Sequence, residues 1–185
     1  MAIDRTMPWL GFPLAVDLAN TVVVTGRGDV DLLTSEEELD VWVAAEADRA
    51  PEADAARGRL ADVRSLREHL RTLLYAAAEG RPLPSAAVAV VNAASAAAPR
   101  YAVLRHGRQD EVVLTDDDFA RFRAVVARSA IEVLGTSTRV LLDVCRAPSC
   151  GMLFLRSSAR QKWCCDSCGN RARVARFAAA GSRTA

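Results

Sequence analysis

The chain has 185 residues, 51% of them hydrophobic, with 24 basic and 23 acidic side chains for a formal net charge of +1. That length can bury a real core as one domain or two unequal ones, and no internal repeat is visible. No apolar run is long enough for a membrane span, and residues 1–6 lack the apolar segment and cleavage site of a secretory signal, which predicts a soluble, cytoplasmic protein.

Helical and strand signals alternate along the first three quarters. After Pro13, residues 12–25 place Leu14, Leu18 and Thr21–Val22 at helical spacing, although the valine run 22–24 equally suits a strand. Gly26, Gly28 and Asp29 end whatever forms there. Thr34 or Ser35, with a Glu three residues on, opens a helix that buries Leu39, Trp42 and Val43. From about 51 to 80, Leu60, Val63, Leu66, Leu70, Leu73, Leu74 and Ala77 form an apolar stripe, with Arg57, Arg64, Arg67 and Arg71 on the other side. Gly80 and Pro82 stop that helix, and Pro84–Ser85 starts an alanine-rich one that ends before Pro99. Residues 101–105 and 111–115 flank His106–Gly107 as a hairpin, and Thr115 with three aspartates caps a helix to about Leu134. Residues 135–138 are the only linker, and a short one. Trp9, Trp42 and Trp163 are expected in the core.

All five cysteines lie within residues 145–168. Two close pairs, each on one tight turn, separated by a short returning span, match the needs of a tetrahedral metal site. A reducing compartment argues against disulfides, and four thiolates leave no open position for catalytic water, so one structural Zn2+ is expected. Cys145 and Cys150 form the first pair. Cys168 closes the second with either Cys164 or Cys165, and spacing alone favours Cys165. Residues 140–144 and 152–155 form a hairpin around the first knuckle, followed by a helix from about 165 to 179.

From Val140 onward eight basic side chains face two acidic ones, a local charge of +6 against −5 for the remainder. On the last helix Val174, Phe177 and Ala178 share a face expected to pack inward, with Arg173 and Arg176 turned to solvent. With Arg156, Arg160 and Lys162 they are the candidate phosphate contacts. Arg171 and Asn170 are expected to brace the zinc loop. Asp17, Asn20 and Thr21, at helical spacing, either line a ligand pocket, with Arg27 as counter-ion, or form a buried polar network. No hydrolase, kinase or phosphate-loop motif is present, so the chain is not expected to be an enzyme.

The run Trp163-Cys-Cys-Asp-Ser-Cys-Gly-Asn-Arg171 resembles the CGNR-type zinc finger of bacteria, and that resemblance implies Cys164 rather than Cys165 as the ligand. Leu14-Ala-Val-Asp-Leu-Ala-Asn-Thr21, Asp31-Leu-Leu-Thr34 and Leu39-x-x-Trp42 are similar to the ABATE domain that precedes this finger in stress-induced transcription regulators. The expected fold is α+β, predominantly α. A helical domain (1–135) with one β-hairpin would sense a ligand or partner, and a treble-clef-like zinc module (136–185) of hairpin plus helix would contact DNA. The resemblance and the charge also leave room for a small-molecule effector and self-association. A zinc-stabilised protein-interaction module without DNA contact is the alternative.

Overall fold

The computed structural model describes residues 11–181. Trp9 lies outside the described residues.

Pro13 introduces α1 (Leu14–Ala19), every residue of which is buried. The helix stops after six residues because the β-branched run beginning at Thr21 crowds a helical backbone. The Thr21 hydroxyl donates to Leu18 O at 2.7 Å, and the chain turns into β1 (Val22–Thr25). β1 pairs antiparallel with β2 (Gly28–Asp31), with Val22 opposite Asp31 and Thr25 opposite Gly28. Residues 12–25 therefore divide between helix and strand, and among the described residues the body carries two hairpins where one was expected. Gly28, at φ 116°, takes the left-handed conformation that closes the turn.

The capping box on α2 (Glu36–Glu46) forms as its residues indicate, with the Glu38 N–H donating to the Ser35 hydroxyl and the Glu38 carboxylate accepting from the Ser35 N–H. Leu39, Trp42 and Val43 point into the core. The expected helix from 51 to 80 is two elements. A 3-10 turn (Pro51–Ala56) and Gly58 at φ 70° precede α3 (Leu60–Ala78). Gly80, at φ 69°, caps the C-terminal end of α3. α4 (Ser85–Ala96) leads into β3 (Arg100–Arg105) and β4 (Arg108–Val113), joined by His106 and Gly107, both at positive φ. Asp117 caps α5 (Asp118–Gly135) by accepting from Ala120 N–H. A 3-10 turn (Ser137–Leu141) then feeds β5 (Leu142–Val144), its partner β6 (Leu153–Leu155) and α6 (Asp166–Gly181).

The class is α+β, predominantly α: helices around a main core, with three separate two-stranded hairpins among the described residues. The main core draws on α1 to α5, and it also takes Leu142 and Leu153 from the cysteine-bearing hairpin. Side chains alternate along a strand, so Phe154 points the other way and fills a second small core with Cys145, Ala147, Cys168 and Ala172. β6 is thus shared between two cores, which locks the module onto the body. Among the described residues no helix is long and apolar enough to cross a membrane.

Candidate metal centre and basic groove

The first knuckle sits between β5 and β6. Cys145 N–H donates to Met152 O at 2.9 Å, Cys150 N–H donates to Ala147 O at 3.0 Å, and Ser149 takes φ 57°. Cys164 precedes α6, its N–H 3.4 Å from Cys145 Sγ, and Cys168 is buried in the first turn of α6. A hairpin knuckle followed by a helix bearing the last cysteine is a treble-clef layout.

The sulfurs of Cys145, Cys150, Cys164 and Cys168 all lie within 4.8 Å of one another. Cys150 to Cys164 is 3.9 Å and Cys164 to Cys168 is 3.5 Å. A tetrahedron with Zn–S bonds of about 2.3 Å has edges of about 3.8 Å, so the donor set fits zinc. The protonation chemistry fits too. Hydrogen bonds with Cys150 and Cys164 pull Cys145 down to about 2, while donating to Cys145 and Cys150 pushes Cys164 far up. Burial pushes Cys168 up to about 12. Thiols this crowded cannot all ionise unaided, and a divalent cation supplies the missing charge. Cys165 lies outside this set, its sulfur 3.0 Å from Ser167 Oγ. Burial opposes its ionisation, but the Ser167 hydroxyl and the Cys168 backbone outweigh that and hold its thiol below the usual value.

Arg171 donates to Cys168 Sγ at 2.9 Å, and that hydrogen bond raises the arginine's pKa in return. Asn170 departs from expectation. It is exposed and accepts from Arg173 at 2.8 Å, because its position on α6 turns it away from the sulfurs. Gly169 lies under Trp163, whose Cδ1 would be 3.1 Å from any added Cβ.

The body grips the knuckle through side chains. Asn20, fully buried, donates to Leu153 O at 2.9 Å and accepts from Leu153 N–H at 3.0 Å, replacing a neighbouring strand. Tyr75 donates to Gly151 O at 2.6 Å. The β1–β2 hairpin presses from the other side: a Cβ on Gly151 would sit 2.6 Å from Val24, and one on Gly26 2.6 Å from Ser149 Oγ. Behind the hairpin, Arg67 donates to both oxygens of Asp31 (2.6 and 2.7 Å) and to Thr21 Oγ1 at 3.1 Å. Arg71 donates to Ala19 O and Val22 O. Arg67, Arg71 and Tyr75 recur every four residues on one face of α3. Both arginines fall opposite the apolar stripe of α3, and their spacing toward Tyr75 is the one sequence signal of this inward role.

Asp17, Asn20 and Thr21 are all buried, but each bonds a different part of the protein. Asp17 accepts from Gly11 and Phe12 N–H groups and pairs with Arg49 at 2.8 Å. Arg27, the expected counter-ion, is exposed in the turn after β1, and the ion pair of Asp17 is made by Arg49 instead. Glu46 is buried beside them, 2.9 Å from the same arginine.

Arg160, Lys162, Arg173 and Arg176 line one groove of about 750 Å3, together with Gln161, Trp163 and a single acidic residue, Asp166. None of the four is in a salt bridge among the described residues. Arg156 stands apart: it donates to Val140 O at 2.5 Å and lies 3.9 Å from Asp143. The expected apolar face of α6 is not packed. Val174 is 68% and Phe177 84% exposed, and Ala178 is exposed as well, because the helix is buried through Cys168 and Ala172 on its other side.

A helical body docked onto a four-cysteine treble clef defines a zinc-finger protein. The family model for ABATE, described as a "putative stress-induced transcription regulator", matches residues 13–137, and the model for the CGNR zinc finger matches residues 142–180. The chain belongs to the ABATE family and ends in a CGNR zinc finger that carries one structural zinc. Among curated proteins none matches the chain.

Proposed function

We propose that this chain is a DNA-binding transcription regulator, non-enzymatic and cytoplasmic, in which the zinc module holds the nucleic acid and the body governs the module. The single observation that carries this is the groove in which four cations without acidic partners, Arg160, Lys162, Arg173 and Arg176, converge beside the zinc knuckle. Four cations against one carboxylate, Asp166, leave the groove a net positive charge on a rigid support, which is what a phosphate backbone requires. Zinc, held by Cys145, Cys150, Cys164 and Cys168, cross-links the hairpin to α6 and supplies the folding energy that so small a module lacks. The protein's own residues do the rest. Phe154 and Ala172 set the helix on the hairpin, and Arg171 neutralises one thiolate. The shared core, Asn20 and Tyr75 fix the module's orientation, so an effector acting on the body would reach the groove by that route.

The test is binding of the zinc-loaded protein to a mixed-sequence 30-bp duplex by fluorescence anisotropy across salt. Three or four phosphate contacts predict an affinity loss of roughly 40- to 150-fold between 50 and 200 mM salt. The Arg160→Gln/Lys162→Gln pair should flatten that dependence. Absence of salt-sensitive binding at micromolar protein would leave the protein-interaction role instead.

A further inference from the structure

The far half of α6 stands largely open to solvent. From Arg173 to Ala178 every residue is exposed, and two are large and apolar: Val174 at 68% and Phe177 at 84% exposure. At about 100° per residue, Asn170, Val174 and Phe177 point away from the buried Cys168 and Ala172, with Arg173 at their edge. Arg176 follows on the flank that faces Arg160 and Lys162 across the groove. The exposed surface is therefore layered: a strip of amide, guanidinium and apolar groups along the crest, and cations outside any ion pair among the described residues beside it.

We propose that α6 enters the major groove of B-form DNA, with Asn170, Arg173, Val174 and Phe177 reading base edges and Arg160, Lys162 and Arg176 holding phosphates. This rests on the DNA-binding reading above and assigns its specificity residues. A second copy is the rival occupant of the apolar crest. α6 carries Arg171, Arg173 and Arg176 against Asp166 alone, so two copies joined crest to crest would set six arginines against one another. A polyanion neutralises the same flanks. Dimensions agree: a helix with side chains is about 10–12 Å across and the B-DNA major groove about 12 Å wide, whereas the deep, narrow groove of A-form RNA excludes it. The crest has the matching chemistry, since Asn pairs with adenine, Arg with guanine, and apolar side chains with the thymine methyl. The Arg173–Asn170 hydrogen bond of 2.8 Å presents the two polar readers together.

The experiment starts from a duplex selected by the zinc-loaded protein out of a pool of 30-bp duplexes with random centres. Affinity for that duplex, for a scrambled DNA duplex and for an RNA duplex of the selected sequence is then measured across salt. Zinc content and mass in solution are checked for every variant. Asn170→Ala and Phe177→Ala should each cut the selected-to-scrambled ratio about 5- to 150-fold and leave the salt slope on scrambled DNA unchanged. Lys162→Gln should lower that slope by about 0.9 and keep the ratio. Selective binding by the wild type with the ratio untouched in both crest variants overturns the proposal. So does equal affinity for the RNA duplex, or a dimer that Phe177→Ala splits while weakening both DNA duplexes alike. Absence of any salt-dependent DNA binding by the wild type overturns the DNA-binding reading itself, and this one with it.

Discussion

Replacing Asn20 with Leu keeps the volume of a fully buried side chain and deletes both of its hydrogen bonds to Leu153, at 2.9 and 3.0 Å. The Leu153 N–H and C=O would then be buried without the partners Asn20 gives them. Each such group costs about 1–3 kcal/mol, so the substitution should destabilise by about 2–6 kcal/mol, a large share of the 5–15 typical of a domain. Leu153 pairs with Val144, next to Cys145, so the loss falls on the hairpin that holds the first knuckle. Urea unfolding of zinc-loaded protein, followed by circular dichroism and by zinc release to a chromogenic chelator, reads both consequences. The two midpoints should fall together. A loss below about 0.5 kcal/mol, or a body that weakens while zinc release stays put, would refute the coupling of module to body.

Three further outcomes follow from the same contacts. Burial, aided by neighbouring Glu46 and opposed by Gly11 and Arg49, pushes Asp17 from 3.8 up to about 7. The folded protein then keeps a proton that the unfolded chain releases, so this group's contribution to stability falls as pH rises from about 4 to about 7, by up to about 4 kcal/mol, and is flat above. Urea stability of wild type minus that of Asp17→Asn should shrink over that interval; a pH-independent difference would contradict it. Gly151→Ala places a Cβ 2.6 Å from Val24 and should cost about 1–3 kcal/mol in thermal unfolding; an unchanged midpoint would show that the hairpin is not pressed on the knuckle. Arg67→Ala leaves Asp31 without its bidentate partner and should cost about 3–5 kcal/mol by urea unfolding, whereas Arg64→Ala, which removes a half-exposed partner of the same carboxylate, should cost under about 1.

What the sequence conveyed was mostly local. Capping residues, glycines and helical spacing are short-range signals, and α2, α4, α5 and the β3–β4 hairpin follow them. Cysteine spacing conveyed the metal, but at the second pair it favoured Cys165. The Trp-Cys-Cys-x-x-Cys-Gly-Asn-Arg run pointed to Cys164, whose sulfur lies in the cluster. Long-range partners were not legible. Nothing near Asp17 names Arg49, 32 residues on, and nothing near Asn20 names Leu153, 133 residues on. The two α3 arginines look like ordinary polar-face residues until the β1–β2 hairpin folds over them. The crest of α6 misled for the opposite reason. An apolar stripe on a helix normally implies something packed against it, and here zinc and Ala172 anchor the helix by its other side.

Four sulfurs closing around one ion give the module its shape, and zinc per chain in reduced protein, by elemental analysis of wild type, Cys165→Ser and Cys164→Ser, tests this most directly. One zinc per chain in the wild type and in Cys165→Ser, with loss in Cys164→Ser, is the expected result. Substoichiometric zinc in the wild type, or loss in Cys165→Ser with retention in Cys164→Ser, would contradict it.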